Sequence, residues 1–308
     1  MNLRMTAVLL TALTGVWSAV TYALEPSPPP GRVSADVPSR LTMVSERDGP
    51  EGSLSLRGTS MAAEAEGALR VEFRNGEARM VARVAGLPEP ATLGPYALYV
   101  LWSLTPDGCA TNEGVIAGGV GGKGRRTVDV DAREFAVIVT AEPHFAVTSP
   151  SPTVALYGVV DEARGGEPTV GVPHERDYSR LPRPPYNGAQ SPLMIQARYS
   201  IAIARVAGAE RYAADAFLSA NRKLAAAETA AYAQARATRG TALPLARAAV
   251  IEGENARRIA ASVFTTAATQ SAQPAAHAGA TRLATEAAAA PVDLVAPQTI
   301  ATSRDCAP

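Results

Sequence analysis

The stretch LRVEFRNGEARMVARV, residues 69–84, decides the fold. Leu69, Val71 and Phe73 alternate with Arg70, Glu72 and Arg74, so the apolar side chains share one face of an extended strand. Asn75-Gly76 follows, the pair that best tolerates the positive φ angles of a two-residue hairpin turn. Beyond it Ala78, Met80, Ala82 and Val84 alternate with Arg79, Val81 and Arg83. The pattern predicts an antiparallel hairpin with one buried face.

Working outward, similar apolar runs recur at Tyr96 to Leu104, Thr127 to Val130, Phe135 to Thr140 and Thr153 to Val159. Pro106-Asp107-Gly108 and the glycines of 118–124 punctuate them. Short strands at this spacing predict an antiparallel β-sandwich over 51–162. A proline-rich linker follows over 163–191. After Ser191-Pro192, a cap and a first helical position that needs no N–H, the period becomes helical. Met194, Ala197, Ile201 and Ala204 share a face, and Gly208 ends that helix. A second helix is expected from about Ala213 to Thr238 and a third from Thr241 through Val263. Short loops between them predict an antiparallel, alanine-rich bundle over 192–268. From 269 to 308 periodicity is lost, and a disordered tail is expected. The expected fold class is α+β, in two modules.

The chain begins with an address. Arg4 precedes the apolar run Met5 to Val20, and Thr21-Tyr-Ala23 closes it, the pattern of a secretory signal peptide over 1–23. An uncleaved inner-membrane anchor is the alternative, although the run is shorter than the ~20 residues that span a bilayer. Pro26 to Pro30 then starts a linker over 24–50. The expected location is periplasmic or secreted. Composition agrees with a non-nucleic-acid role: 29 Lys+Arg balance 29 Asp+Glu, so the basic excess that displaces phosphate counterions is missing.

The segment Tyr99-Val-Leu-Trp102, Thr105-Pro-Asp-Gly108, Asn112-Glu-Gly114 and Val139-Thr-Ala-Glu-Pro143, preceded by Gly86-Leu-Pro88, resembles the extracytoplasmic β-sandwich domain of anti-sigma-K-type factors. The resemblance covers about 50–160 and implies a sandwich outside the cytoplasm. It does not imply sigma-factor inhibition, because only four residues precede the apolar run. A second stretch, about 193–265, is similar to a family of alanine-rich helical bundles in exported bacterial proteins. Ala197-Arg-Tyr-Ser, Ala207-Gly-Ala-Glu-Arg-Tyr212 and Lys223-Leu-Ala-Ala-Ala-Glu228 carry that likeness. That family brings no catalytic residues to transfer.

Reactive constellations are hard to assemble from what remains. Gly118 to Arg126 lacks the Gly-x4-Gly-Lys-Ser/Thr spacing of a phosphate loop. His144, His174 and His277 are too dispersed for the paired spacing of zinc ligands, and His144 reads as a loop-edge residue. No nucleophile elbow is present, and Glu64, Glu66 and Glu142 show no pairing. No catalytic, metal or cofactor residues are therefore assigned, and no cofactor is expected. Cys109 and Cys306 can form a disulfide in an oxidising compartment; a free or intermolecular thiol is the competing reading. The segment Ile195 to Ser262 carries ten Arg/Lys against five Asp/Glu. Arg198, Arg205 and Arg211 on it, with Trp102 and His144 on the sandwich, form a candidate interaction surface. The expected role is a non-enzymatic interaction or scaffolding protein of the cell envelope, with envelope or periplasmic protein partners. Membrane association is expected only if the N-terminal segment stays uncleaved. The alternative is a periplasmic small-ligand or glycan-binding protein that uses loops around Trp102 and His144.

Overall fold

Residues 66–85 form the hairpin that the alternation predicts, with Asn75 at φ 54° and Gly76 at φ 88° in the turn. Leu69, Val71, Phe73, Ala78, Met80 and Ala82 are buried, and the intervening arginines face solvent. The structure is a computed structural model. It describes residues 37–38, 40–117, 121–160, 169–171, 178, 180–184, 191–233 and 240–287. The expected signal peptide, most of the linker that follows it, Cys306 and the chain from 288 onward lie outside the described residues.

The strands are β1 (Arg40–Thr42), β2 (Val44–Ser45), β3 (Glu51–Gly58), β4 (Glu66–Arg74), β5 (Glu77–Ala85), β6 (Leu98–Leu104), β7 (Ala110–Ala117), β8 (Gly124–Val130), β9 (Glu134–Glu142), β10 (Val154–Val160) and β11 (Thr169–Gly171). The helices are α1 (Pro90–Leu93), α2 (Pro192–Val206), α3 (Ala209–Tyr212), α4 (Ala214–Tyr232) and α5 (Ala242–Ala287). The fold is α+β, built on a large antiparallel sheet.

That sheet runs β7-β6-β9-β10-β3-β4-β5-β8, with β2 added to the far end of β9. A sandwich would divide these strands between two facing sheets; here they hydrogen-bond into one that curls towards a barrel. Its two end strands, β7 and β8, are consecutive in the chain and come back together without a ladder between them. Gly124 makes this approach possible, since a Cβ there would lie 1.7 Å from the Ile116 carbonyl oxygen. Arg126 Nε then donates to the Glu113 carbonyl at 2.8 Å, a side chain bridging where backbone pairing stops. β6 and β9 are buried along nearly their whole length, so both of their faces are covered. Central strands of this kind read as continuous apolar runs.

The stretch expected to be a linker also takes part in the core. β11 pairs with β1, and Val170, Tyr178 and Leu181 are buried in the core of the sheet. Apolar residues spaced among prolines conceal such a role, because no period survives to report it.

Ser191 caps α2 by accepting from the Leu193 N–H, with Pro192 in the first turn. Gly208, at φ 80°, separates α2 from α3. Packing among the helices rests on alanine: Ala204, Ala220, Ala256 and Ala260 form one cluster with Phe217, and Ala197, Ala227, Ala246 and Ala249 another with Met194 and Val250. Small side chains bring the axes close. A Cβ on Gly253 of α5 would lie 2.4 Å from Ser200 Oγ of α2, which itself donates to the Val250 carbonyl. Ile203 of α2 joins the core of the sheet, so the helices pack on the strands. The segment expected to be a tail from 269 is helical as far as Ala287. Among the described residues no helix is long and apolar enough to cross a membrane.

Candidate functional site

The stretch Val139 to Pro143 that the sequence singles out ends β9, and the loop after it meets the helices. Two buried polar clusters flank this point, one along β6 and β9 and one between loop and helix.

The first cluster starts at Trp102. Its side chain is fully buried in β6 and its indole Nε1 donates to Thr140 Oγ1 at 2.8 Å. Thr140 Oγ1 in turn donates to Glu142 Oε1 at 2.5 Å, and the Ser151 amide donates to the same oxygen at 2.7 Å. Ser151 Oγ donates to the Ala141 carbonyl, while Tyr96 and Thr153 share a hydrogen bond at 2.7 Å. Alternation on antiparallel neighbours explains the line-up: Val100 faces Thr140 and Leu98 faces Glu142, so Trp102, Thr140 and Glu142 emerge on one face. A buried carboxyl is costly unless hydrogen bonds reach it, and these donors are what the site supplies.

The second cluster joins the loop to α5. His144, also fully buried, places Nε2 at 3.8 Å from Glu254 Oε2. Arg257 binds Glu254 with Nε at 2.9 Å from both carboxylate oxygens and Nη2 at 2.7 Å from Oε1. Thr148 Oγ1 donates to Glu254 at 3.0 Å and accepts from Arg257 Nη2 at 3.1 Å. Beside it the Phe145 amide donates to Gln196 Oε1 of α2, and the Arg247 guanidinium of α5 lies 4.4 Å above the Phe145 ring. Asn112 on β7 holds the loop from the other side, its Nδ2 donating to the carbonyls of Phe145 and Val147. The loop is thus clasped between sheet and helices.

The candidate interaction surface is corrected at two positions. Trp102 and His144 are both enclosed, so neither offers a face to a ligand. His144 is interior because α5 covers its loop, a contact between residues more than a hundred positions apart. Arg198 sits between helices and pairs with Glu228 of α4 through Nε at 2.9 Å and Nη2 at 2.7 Å. Arg205 is exposed, pairs with Glu210 and stacks over Phe217. Arg211 is exposed and lies 5.3 Å from the Tyr212 ring centroid. The structure therefore brings His144 close to α5 but does not gather the five residues into one surface.

Glu254, Arg257, Thr148 and Gln196 carry the clasp and were not singled out by sequence reasoning. The trace that could have found the first pair is Glu254-x-x-Arg257, an opposite-charge i,i+3 spacing within an alanine-rich helix. Glu113 is a further buried acid, accepting from Ser103 Oγ at 2.6 Å. Burial pushes its pKa up, against the Ser103 hydrogen bond and the Arg126 charge, which both lower it. Cys109, at the foot of β7, is disulfide-bonded. Among the described residues, no group of three or more His, Cys, Asp or Glu side chains is placed to hold a metal.

Solvent-facing apolar side chains are concentrated on α5. Ile251, Ile259 and Val263 lie on one face, 49%, 39% and 40% exposed, with Phe264 beside them at 61%. From Ser262 to Ala267 every residue is exposed, so the helix has left the bundle there. No family model and no curated protein matches the chain.

Proposed function

We propose that the protein is an exported, non-enzymatic interaction module of the cell envelope, and that it binds a protein partner through the projecting part of α5. The observation that carries this reading is the apolar row Ile251, Ile259 and Val263 with Phe264, left uncovered on a helix that extends past its bundle. Isolated exposed apolar residues are ordinary, but a row at helical spacing is how an amphipathic helix presents itself to a groove. The disulfide at Cys109 supports export, since such bonds persist in oxidising compartments. The polar residues around Glu142 and Glu254 act in this reading as internal supports. The finer likeness of the strand-built part to an anti-sigma-K-type extracytoplasmic domain, and of the helices to an alanine-rich bundle, belongs to the same proposal and rests on the motifs of 86–143 and 197–228. A ligand site at Trp102 and His144 draws no support, because both side chains are buried.

The test is crosslinking in envelope fractions with the wild type and with Val263→Glu/Phe264→Glu. A partner recovered by the wild type and lost with the variant, at unchanged circular dichroism, is the expected result. Equal recovery by both, or a mature protein found wholly in the cytoplasm, would overturn the reading.

A further inference from the structure

We propose that the outer face of the sheet, across β3, β4, β5 and β8, binds a linear phosphate polymer of the non-nucleotide kind. This site is separate from α5 and does not depend on the partner reading given to that helix.

Register decides what the face presents. Antiparallel neighbours set their outward side chains opposite one another, in rows that run across the strands. One row holds Arg57 and Glu66, directly opposite each other. Another holds Glu51, Glu72, Arg79 and Asp129. In both, the cation faces an acid. The two rows between them differ. One runs Ser55, Ala68, Arg83 and Arg125, and the other Ser53, Arg70, Val81 and Thr127. Val81 is half-buried and the other seven are exposed. Three arginines thus share a band that contains no acid. Arg83 faces Arg125 directly, and Arg70 lies on the diagonal from Arg83. Like charges directly opposite destabilise a sheet. Among the described residues, no carboxylate pairs with any of the three. Acids stand in both flanking rows and none in the band, so the charge that balances these arginines must come from outside.

The shape of the band selects the ligand. Neighbouring strands lie ~4.8 Å apart, so the Arg83 and Arg125 guanidiniums can close on one phosphate. Arg70, about 7–8 Å away on the diagonal, reaches the next. A guanidinium fork binds phosphate oxygens two at a time, and the Ser53 and Thr127 hydroxyls in the row of Arg70 are further donors. Gly67, Ala68 and Ala85 are small and leave a hollow of about 330 Å³ beside Arg83. Rows two residues apart make the band about 7 Å wide, room for a single chain. A flat anionic membrane would press on Glu51, Glu72 and Asp129 as well, whereas a chain laid across the strands avoids them. None of the outward residues on the four strands is aromatic, so nucleic-acid bases find nothing to stack on. An acidic peptide draws its affinity from apolar anchors, and the band offers only the half-buried Val81. A polymer with a phosphate on each unit fits what is left.

Fluorescence anisotropy with end-labelled inorganic polyphosphate, read across a salt titration of the full-length protein, tests the site. Arg83→Gln/Arg125→Gln should weaken binding about tenfold at low salt and lower the slope of log affinity against log salt by about 1–2. Arg211→Gln/Arg222→Gln on the helices removes the same charge and should change affinity less than about twofold, since those arginines make no contact with the chain. The sheet variant should also melt higher than the wild type without ligand, because the repulsion is gone, while polyphosphate raises the melting temperature of the wild type alone. Equal loss in the two double variants, or none in the sheet variant, overturns the proposal. So does equal or tighter binding, at matched charge, of polyglutamate, of single-stranded DNA or of phosphatidylglycerol vesicles.

Discussion

Glu113 has a carboxyl held inside the curled sheet beside Ser103, and burial favours its protonated form. The folded protein thus holds this proton more tightly than the unfolded chain does. Stability must then fall as pH rises from the ordinary carboxyl range through the raised native value, and the penalty is fully present above it. Glu113→Gln keeps an acceptor for Ser103 and removes the charge. Thermal melts should show the variant more stable than the wild type at pH 7, with the gap closing as pH is lowered towards 4. A gap that stays constant with pH would show that the carboxylate is not the source. Trp102 shows how far residue type alone can mislead: an aromatic beside turns reads as a surface platform, yet its indole N–H is satisfied inside by Thr140.

The elements differ in how openly the sequence declares them. The β4–β5 hairpin is legible because its turn, register and buried face are all local. The single sheet is not, because its order depends on β10 pairing with β3, about a hundred residues away, and on the meeting of β7 with β8. The length of α5 is hidden for another reason. Periodicity reports a buried face, so a helix that leaves its bundle loses the signal while alanine's propensity sustains the backbone. Within α5, Gly253 marks the closest approach to α2. Gly253→Ala would gain about 1 kcal/mol of helix propensity. Overpacking against Ser200, 2.4 Å from the new Cβ, should cost about 2–3 kcal/mol and leave a net loss of about 1–2 kcal/mol. Urea denaturation of this variant and of Ser200→Ala/Gly253→Ala checks it, with the double variant expected to recover part of the loss. A single variant as stable as the wild type would mean that the helices separate freely there.

For the molecule as a whole, the clasp decides whether strands and helices behave as one unit. Its parts were invisible as a site because Thr148 and Glu254 are 106 residues apart, and Glu254 and Arg257 look like a solvated helix pair until the loop covers them. Glu254→Ala leaves a buried guanidinium without its counter-charge and should cost about 3–5 kcal/mol. Glu254→Leu/Arg257→Met removes both charges at similar volume and should recover most of that. Calorimetry on both is the check, and a double variant as unstable as the single one would show that apolar packing cannot replace the ion pair. The same sequence separation sets an order of events during synthesis. The chain emerges from its N-terminal end, so β9 and Asn112 are in place before Glu254 and Arg257 leave the ribosome. Until then the segment from His144 to Thr148 stays wet, and closing it must wait for a loop of more than a hundred residues, a slow kind of contact. It is α5 that dries the interior, so a nascent chain stalled before residue 254 would carry a finished sheet with an open, hydrated histidine.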